Sequence, residues 1–398
     1  MKLPIAAALS AAALFATVAP AAETPPFRTD HSTDEKLPWF QLVDGEFPPP
    51  DSAHHIAGEL ISVNHVDRTF VLRADRTDKQ NRSHWDLPLA ASMLPYGSIF
   101  YHGTWAALED IPLGTHLHGH FYLKHPKDKT SPIAAYERRI TPEADFTRCL
   151  LLEDDFSYHQ RQGHLWKIDS IDPETNKLSA SLLQNGKPSD VSKKFSLIER
   201  TRVWKGTSFV PIDSLSPGQT VLFNLTWVTL FGPGRLLDLW VDEEARTAAR
   251  AQQLRIHRRH TKERGIPAWI TRVDNRAQLL TLSFFNNFDP KLLDDLHVTE
   301  EIGEPKERHN VSFAVALDSL APFDPVNDRR SGPLKAIRTH AASPGDSGVE
   351  IDVQTDFLLE GHRPKKVVRV YAHGWPIVDL PKEIRWESRE YDLVPGPR

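Results

Sequence analysis

Five consecutive residues carry the strongest chemical signal in this chain: His116-Leu117-His118-Gly119-His120. In an extended strand, side chains two apart face the same way, so all three imidazoles line one face. The His-x-His spacing suits Zn²⁺ or a similar transition metal. Three such residues span about 13 Å along a strand, so one ion takes two neighbours and needs a further ligand from elsewhere. His54, His55, His65, His84 and His102 lie in the same part of the chain. His102 is the expected third ligand because it sits in the preceding strand or turn. The competing reading places the histidines on the exposed face of a strand whose core face is Leu117, Gly119 and Phe121.

Other constellations are weaker. Gly345-Asp346-Ser347-Gly348 has the form of a serine-nucleophile tetrapeptide, but nothing around His309 or His340 resembles the partner contexts, and Asp, Ser and Gly after Pro344 are ordinary turn chemistry. Glu153-Asp154-Asp155 suits either a cation such as Ca²⁺ or the N-terminus of a helix, where carboxylates cap free amides. The chain has no His-Glu-x-x-His, Gly-x-Ser-x-Gly, phosphate-binding glycine loop, haem motif or EF-hand loop. Trp105, Trp166, Trp204, Trp227, Trp240, Trp269, Trp375 and Trp386 offer platforms for sugars or peptides where exposed, and packing where buried.

The elements that must position these residues repeat. The pattern starts at Gly58, Gly163 and Gly265, 105 and then 102 residues apart, and an Asp follows nine positions on (Asp67, Asp172, Asp274). β-Branched residues fall at the fifth and eighth positions: Val63 and Val66, Ile168 and Ile171, Ile270 and Val273. The break in strict alternation predicts a bulge, and the Asp predicts a turn into a second apolar strand. A second anchor links two copies, Gly103…Asp110…Gly114 and Gly206…Asp213…Gly218. The third copy carries instead a long insertion from about Asn286 to Gly348.

Many short strands with Gly and Pro turns in units of about 100 residues predict small barrels, of which a partly open Greek-key barrel of OB type fits best and a sandwich is the alternative. The fold class expected is mainly β: three tandem small β-barrels with one connecting α-helix and a Pro-rich N-terminal arm. The expected boundaries are a signal peptide (1–22), the arm (23–53), barrels at 54–148 and 149–241, the helix (242–264) and a third barrel with insertion and tail (265–398). Trp39 and Phe40 are placed to pin the arm. In the helix, Asp242 caps the start, Gly265 ends it, and Ala245, Ala248, Ala249, Gln252 and Ile256 form a narrow apolar stripe.

Lys2, the apolar run from Ile5 to Val18 and the small residues Ala19-Pro20-Ala21 read as a cleaved export signal, which places the mature chain in the periplasm, at the cell surface or outside the cell. The single cysteine, Cys149, forbids an internal disulfide and reads as a buried apolar thiol. A formal charge of −5, from 48 basic and 53 acidic residues, argues against general affinity for nucleic-acid phosphates.

Met93-Leu94-Pro95-Tyr96-Gly97, Tyr101-His102-Gly103, the run from Asp110 to Gly119, Leu151-Leu152-Glu153-Asp154-Asp155-Phe156 and Arg161-Gln162-Gly163 together resemble a family of exported proteins of uncharacterised activity from planctomycete-type bacteria. The resemblance implies export and tandem OB-like barrels, and brings no catalytic residues with it. Three functions remain open. The first is a non-catalytic exported binding or scaffold protein whose partner is an extracellular or envelope peptide, glycan or protein. The second is a metal-dependent, Zn-type hydrolase using His116, His118 and His102. The third is single-stranded nucleic-acid binding, which the charge disfavours.

Overall fold

The computed structural model describes residues 26–75, 88–125, 145–226, 234–298, 310–316, 329–359 and 361–376. The expected signal peptide and His84, Trp227, His309 and Trp386 lie outside these residues.

The first unit contains β1 (His54–Asn64), β2 (Thr69–Ala74), β3 (Pro88–Tyr101), β4 (Thr104–Trp105), β5 (His116–Tyr122) and β6 (Arg148–Asp154). Its ring runs β1-β2-β3-β6-β5 and back to β1, with β3 and β6 parallel and the other pairs antiparallel. Helix α1 (Asp155–Arg161) leads to β7 (His164–Asp172), β8 (Lys177–Gln184), β9 (Lys187–Lys205), β10 (Ser208–Val210), β11 (Thr220–Thr226) and β12 (Arg235–Trp240). These repeat the same ring, again with one parallel pair, β9 and β12. Since β6 pairs with both β3 and β5, the first barrel extends to Asp154, and the boundary expected at 148/149 moves to α1.

Helix α2 (Glu243–Arg264) connects to β13 (Ile266–Asp274), β14 (Leu279–Phe285), β15 (Asn310–Val315), β16 (Arg330–Thr339), β17 (Asp346–Gln354) and β18 (Val367–Tyr371). They close an entirely antiparallel ring, β13-β14-β17-β16-β15-β18. The stretch expected to be an insertion therefore supplies two of its strands. The hairpin β15–β16 stands where the first two barrels use one parallel closing strand.

All three barrels share one opening hairpin, and its hydrogen bonds correct the repeat alignment. Bulges fall after Leu60, Ile168 and Ile270. Asn64, Asp172 and Asp274 each accept two backbone amides of the following turn. The same turns place Arg68, Asn176 and Gln278 at φ of 52°, 51° and 53°. Asn64, not Asp67, is thus the counterpart of Asp172 and Asp274, and the first copy is offset by three residues. Asn performs the same turn-capping task as Asp, so a match on Asp identity missed it. The second anchor also recurs. Gly114 and Gly218 donate to Leu60 and Ile168 at 2.7 Å, and Lys365, at φ 71°, donates to Ile270 at 2.8 Å.

Each barrel has its own apolar core. The core face of β5 is Leu117, Gly119 and Phe121, as expected. Gly119 leaves the space taken by the Phe121 ring: a Cβ there would sit 2.2 Å from it. Gly119→Ala is expected to destabilise the chain by about 1–3 kcal/mol through overpacking. Chemical denaturation measures this, and an unchanged midpoint would show that the Phe121 ring can turn aside.

Trp39 packs on the first core, while Phe40 and Phe47 join a cluster with Tyr96, Tyr122, Trp269 and Phe285, so the arm straps the first barrel to the third. Cys149 is fully buried and burial pushes its thiol pKa up, as an inert core thiol requires. In α2, Asp242 caps the Ala245 amide at 2.7 Å and Gly265 ends the helix at φ 80°. Its buried face is Ala245, Arg246, Gln253, His257 and Thr261, one position away from the Gln252–Ile256 stripe expected. The helix packs polar groups against a polar partner: Gln253 donates to Asp110 at 2.9 Å. Among the described residues no helix is long and apolar enough to cross a membrane.

Candidate metal centre between the first two barrels

The outer face of β5 carries His116, His118 and His120, opposite its core face, as the two-residue period requires. That face is not open to solvent. Helix α1 and strand β11 lie over it, and His116 is only 4% exposed. The reading of these histidines as surface residues is thereby corrected.

The covering helix begins where the acidic run predicted a helix start. Asp154 caps α1, its side chain accepting the Ser157 amide at 2.9 Å. The next residue, Asp155, is buried and turns its carboxylate onto the histidines. Asp155 Oδ1 lies 2.8 Å from His116 Nδ1 and 3.1 Å from His118 Nε2. Its Oδ2 accepts the Leu225 amide of β11 at 2.9 Å. The far nitrogen of each imidazole is also engaged. His116 Nε2 lies 3.0 Å from Asp75 Oδ2, and His118 Nδ1 lies 3.2 Å from His55 Nε2. The Tyr158 ring stacks on His118 at 3.8 Å and 9°.

His116, His118 and Asp155 each offer one ligand atom, and these atoms lie within 4.8 Å of one another. An ion bound at about 2.0–2.1 Å keeps neighbouring ligand atoms about 2.9–3.4 Å apart, at the edges of an octahedron or tetrahedron. The two edges to Asp155 already have nearly these lengths.

Without an ion the same atoms form a proton-held triad. Burial opposes a charged His116, but Asp155 and Asp75 outweigh it and raise its pKa to about 10. Burial likewise opposes charge on Asp155, and His116 and His118 overcome this and hold its pKa low. Around the triad stand neutral imidazoles. Burial, with help from His118 and His120, lowers His55 to about 3, and burial lowers His159 to about 3.

The other expected site residues lie elsewhere. His102 does not reach the centre. It occupies the β3–β4 turn at φ 53°, its ring stacks on Tyr101 at 3.8 Å, and its amide donates to Asp154 at 3.0 Å. The third member of the cluster is Asp155 in its place. His120 faces His55 at 5.5 Å between ring centres, outside the cluster. His54 bonds Asp30 of the arm at 2.5 Å, and His65 is exposed in the first hairpin turn. Ser347 accepts the Val349 amide, and Asp346 pairs with His340 at 2.7 Å, so the tetrapeptide runs from the turn at Gly345 into β17, with no Ser347–His bond among the described residues. Asp75 and Asp155 were missed as partners because they stand 41 and 39 residues from His116. The only sequence signal was the acidic run beside α1.

No protein-family model matches the chain, and no curated protein matches it. Among solved structures, a copper(II) form of a tryptophan-to-alanine variant of CusF, residues 10–88, from Escherichia coli is similar to one segment at 17% identity. The match covers 20% of this chain and 89% of that chain, with a TM-score of 0.15, and at that score the likeness carries no argument.

Proposed function

We propose that the chain is a non-catalytic exported binding protein that holds one divalent transition-metal ion, of the Zn²⁺ or Cu²⁺ class, through His116, His118 and Asp155. One observation carries this reading. The inner nitrogens of His116 and His118 both meet Asp155 Oδ1, while the outer atom of each side chain is already fixed by Asp75, His55 or the Leu225 amide. Metal-binding histidines are oriented in just this way by outer carboxylates and other acceptors. The donor set is two nitrogens and an oxygen with no sulfur, which suits Zn²⁺ or Cu²⁺ better than Cu⁺.

Burial argues against the hydrolase reading. The His116, His118 and Asp155 side chains are 5%, 12% and 2% exposed, and Tyr158 covers His118. A catalytic ion keeps a position open to substrate, and this centre is roofed. Export rests on the N-terminal signal pattern and on the resemblance to exported barrel proteins.

The test is elemental analysis and titration calorimetry of the full chain, stripped by chelator and reloaded with Zn²⁺ or Cu²⁺. One equivalent is expected in the wild type and none in His118→Ala, with far-ultraviolet circular dichroism confirming that the variant folds. Asp75→Asn is expected to weaken binding about 10–100-fold, the usual effect of losing an outer-shell partner. A wild type that takes up no stoichiometric metal overturns the proposal.

A further inference from the structure

The seams between the barrels differ in kind. The first and third barrels meet through aromatic packing, with Tyr96 and Tyr122 on one side and Trp269 and Phe285 on the other. The apolar cluster beside the second barrel contains Phe156, Leu222, Trp240 and Ala245, and no residue of the first barrel belongs to it. Across that seam the first barrel offers the His102 ring, 4.9 Å from Trp240 and 6.0 Å from Phe156, together with polar contacts.

Those polar contacts converge on three consecutive residues of β11. Asn224 donates to Asp154 at 2.7 Å and accepts the Phe156 amide at 2.9 Å. The Leu225 amide donates to Asp155. Thr226 forms an isolated antiparallel bridge with Thr115, directly before β5. The metal centre therefore lies on the seam. Two of its ligands belong to the first barrel, and the third is a carboxylate whose other oxygen holds the backbone of the second.

From this placement we infer that the ion is a clasp: its binding fixes the second barrel against the first, so the joint between them is stiffened by metal. The inference rests on the metal-binding reading above and adds what the ion does. An ion that ties Asp155 to His116 and His118 holds the carboxylate that grips Leu225. Coupling between two such contacts is reciprocal, so whatever weakens the seam also weakens ion binding.

Hydrogen exchange of the full chain, with and without saturating Zn²⁺, tests this. Protection of the Leu225 and Thr226 amides is expected to rise at least about 10-fold with the ion, within the usual range for coupled sites. The Val368 and Val370 amides in the third barrel are expected to be unchanged. Asn224→Ala removes two seam bonds and no ligand, and is expected to lower Zn²⁺ affinity about 5–10-fold. Saturable binding with unchanged β11 protection, or unaltered affinity in Asn224→Ala, overturns the clasp and leaves the metal reading standing. Absence of Zn²⁺ binding in the wild type overturns both.

Discussion

Asp155→Ala is expected to lower stability by about 3–5 kcal/mol, the range seen when one partner of a buried ion pair is removed. Asp155 is 2% exposed and is the common acceptor for His116, His118 and the Leu225 amide. Truncation leaves His116 with Asp75 as its only carboxylate and strands a buried backbone donor. The same change removes a ligand of the proposed metal site, so Zn²⁺ uptake is expected to vanish. Denaturant unfolding of the metal-free chain separates the two effects. A loss below about 1 kcal/mol would mean that the carboxylate does not carry the seam charge described above.

The second large effect is acid lability. Burial lowers the imidazole pKa of His102 and His257 to about 4, and of His159 to about 3. In the unfolded chain each titrates near 6.5, so the unfolded state binds more protons below that pH. Their contribution to stability is fully present above pH 6.5 and is lost as pH falls through it. Each of the three protons is worth about 1.4 kcal/mol per pH unit within the window.

Asp154 works the other way. Burial raises its pKa to about 6, against its bonds from Ser157, His102 and Asn224. The folded state therefore holds a proton on it between pH 3.8 and 6, and this contribution grows as pH falls. One proton opposes five, since burial also lowers His55 to about 3 and His362 to about 4, so the net slope remains acid-destabilising. On the alkaline side, the contribution of His116 is present below pH 6.5 and is lost as pH rises toward 10. The denaturation midpoint is expected to peak near neutrality and fall steeply from pH 6.5 to 4. His257→Leu is expected to reduce that slope by one proton. A flat profile between pH 4 and 7 would refute the assignment of neutral buried histidines.

The sequence itself determines much of the local architecture. The step from Ile168 to Ile171 and from Ile270 to Val273 predicts the bulge in two of three hairpins, and the Asp after each predicts the turn, because both depend on side-chain alternation and local hydrogen bonds. Asp242 and Gly265 define the ends of α2 for the same reason: a cap acts within one turn. The period of β5 separates Leu117 and Phe121 from His116 and His118 without help from the fold.

What lies over each face was decided only in three dimensions. The stripe on α2 shifts by one position because Gln253 finds Asp110, a partner 143 residues away. The hairpin β15–β16 looked like an insertion because strand pairing across a barrel leaves no local periodic mark. At the proposed metal centre, strand geometry alone groups His116 with His118. The choice of Asp155 over His102, the engagement of Asp75 and the burial of His116 and Asp155 follow from closing one barrel, capping α1 and laying β11 across it. Long-range packing brings carboxylate and imidazole together, and sequence spacing carries no record of that contact.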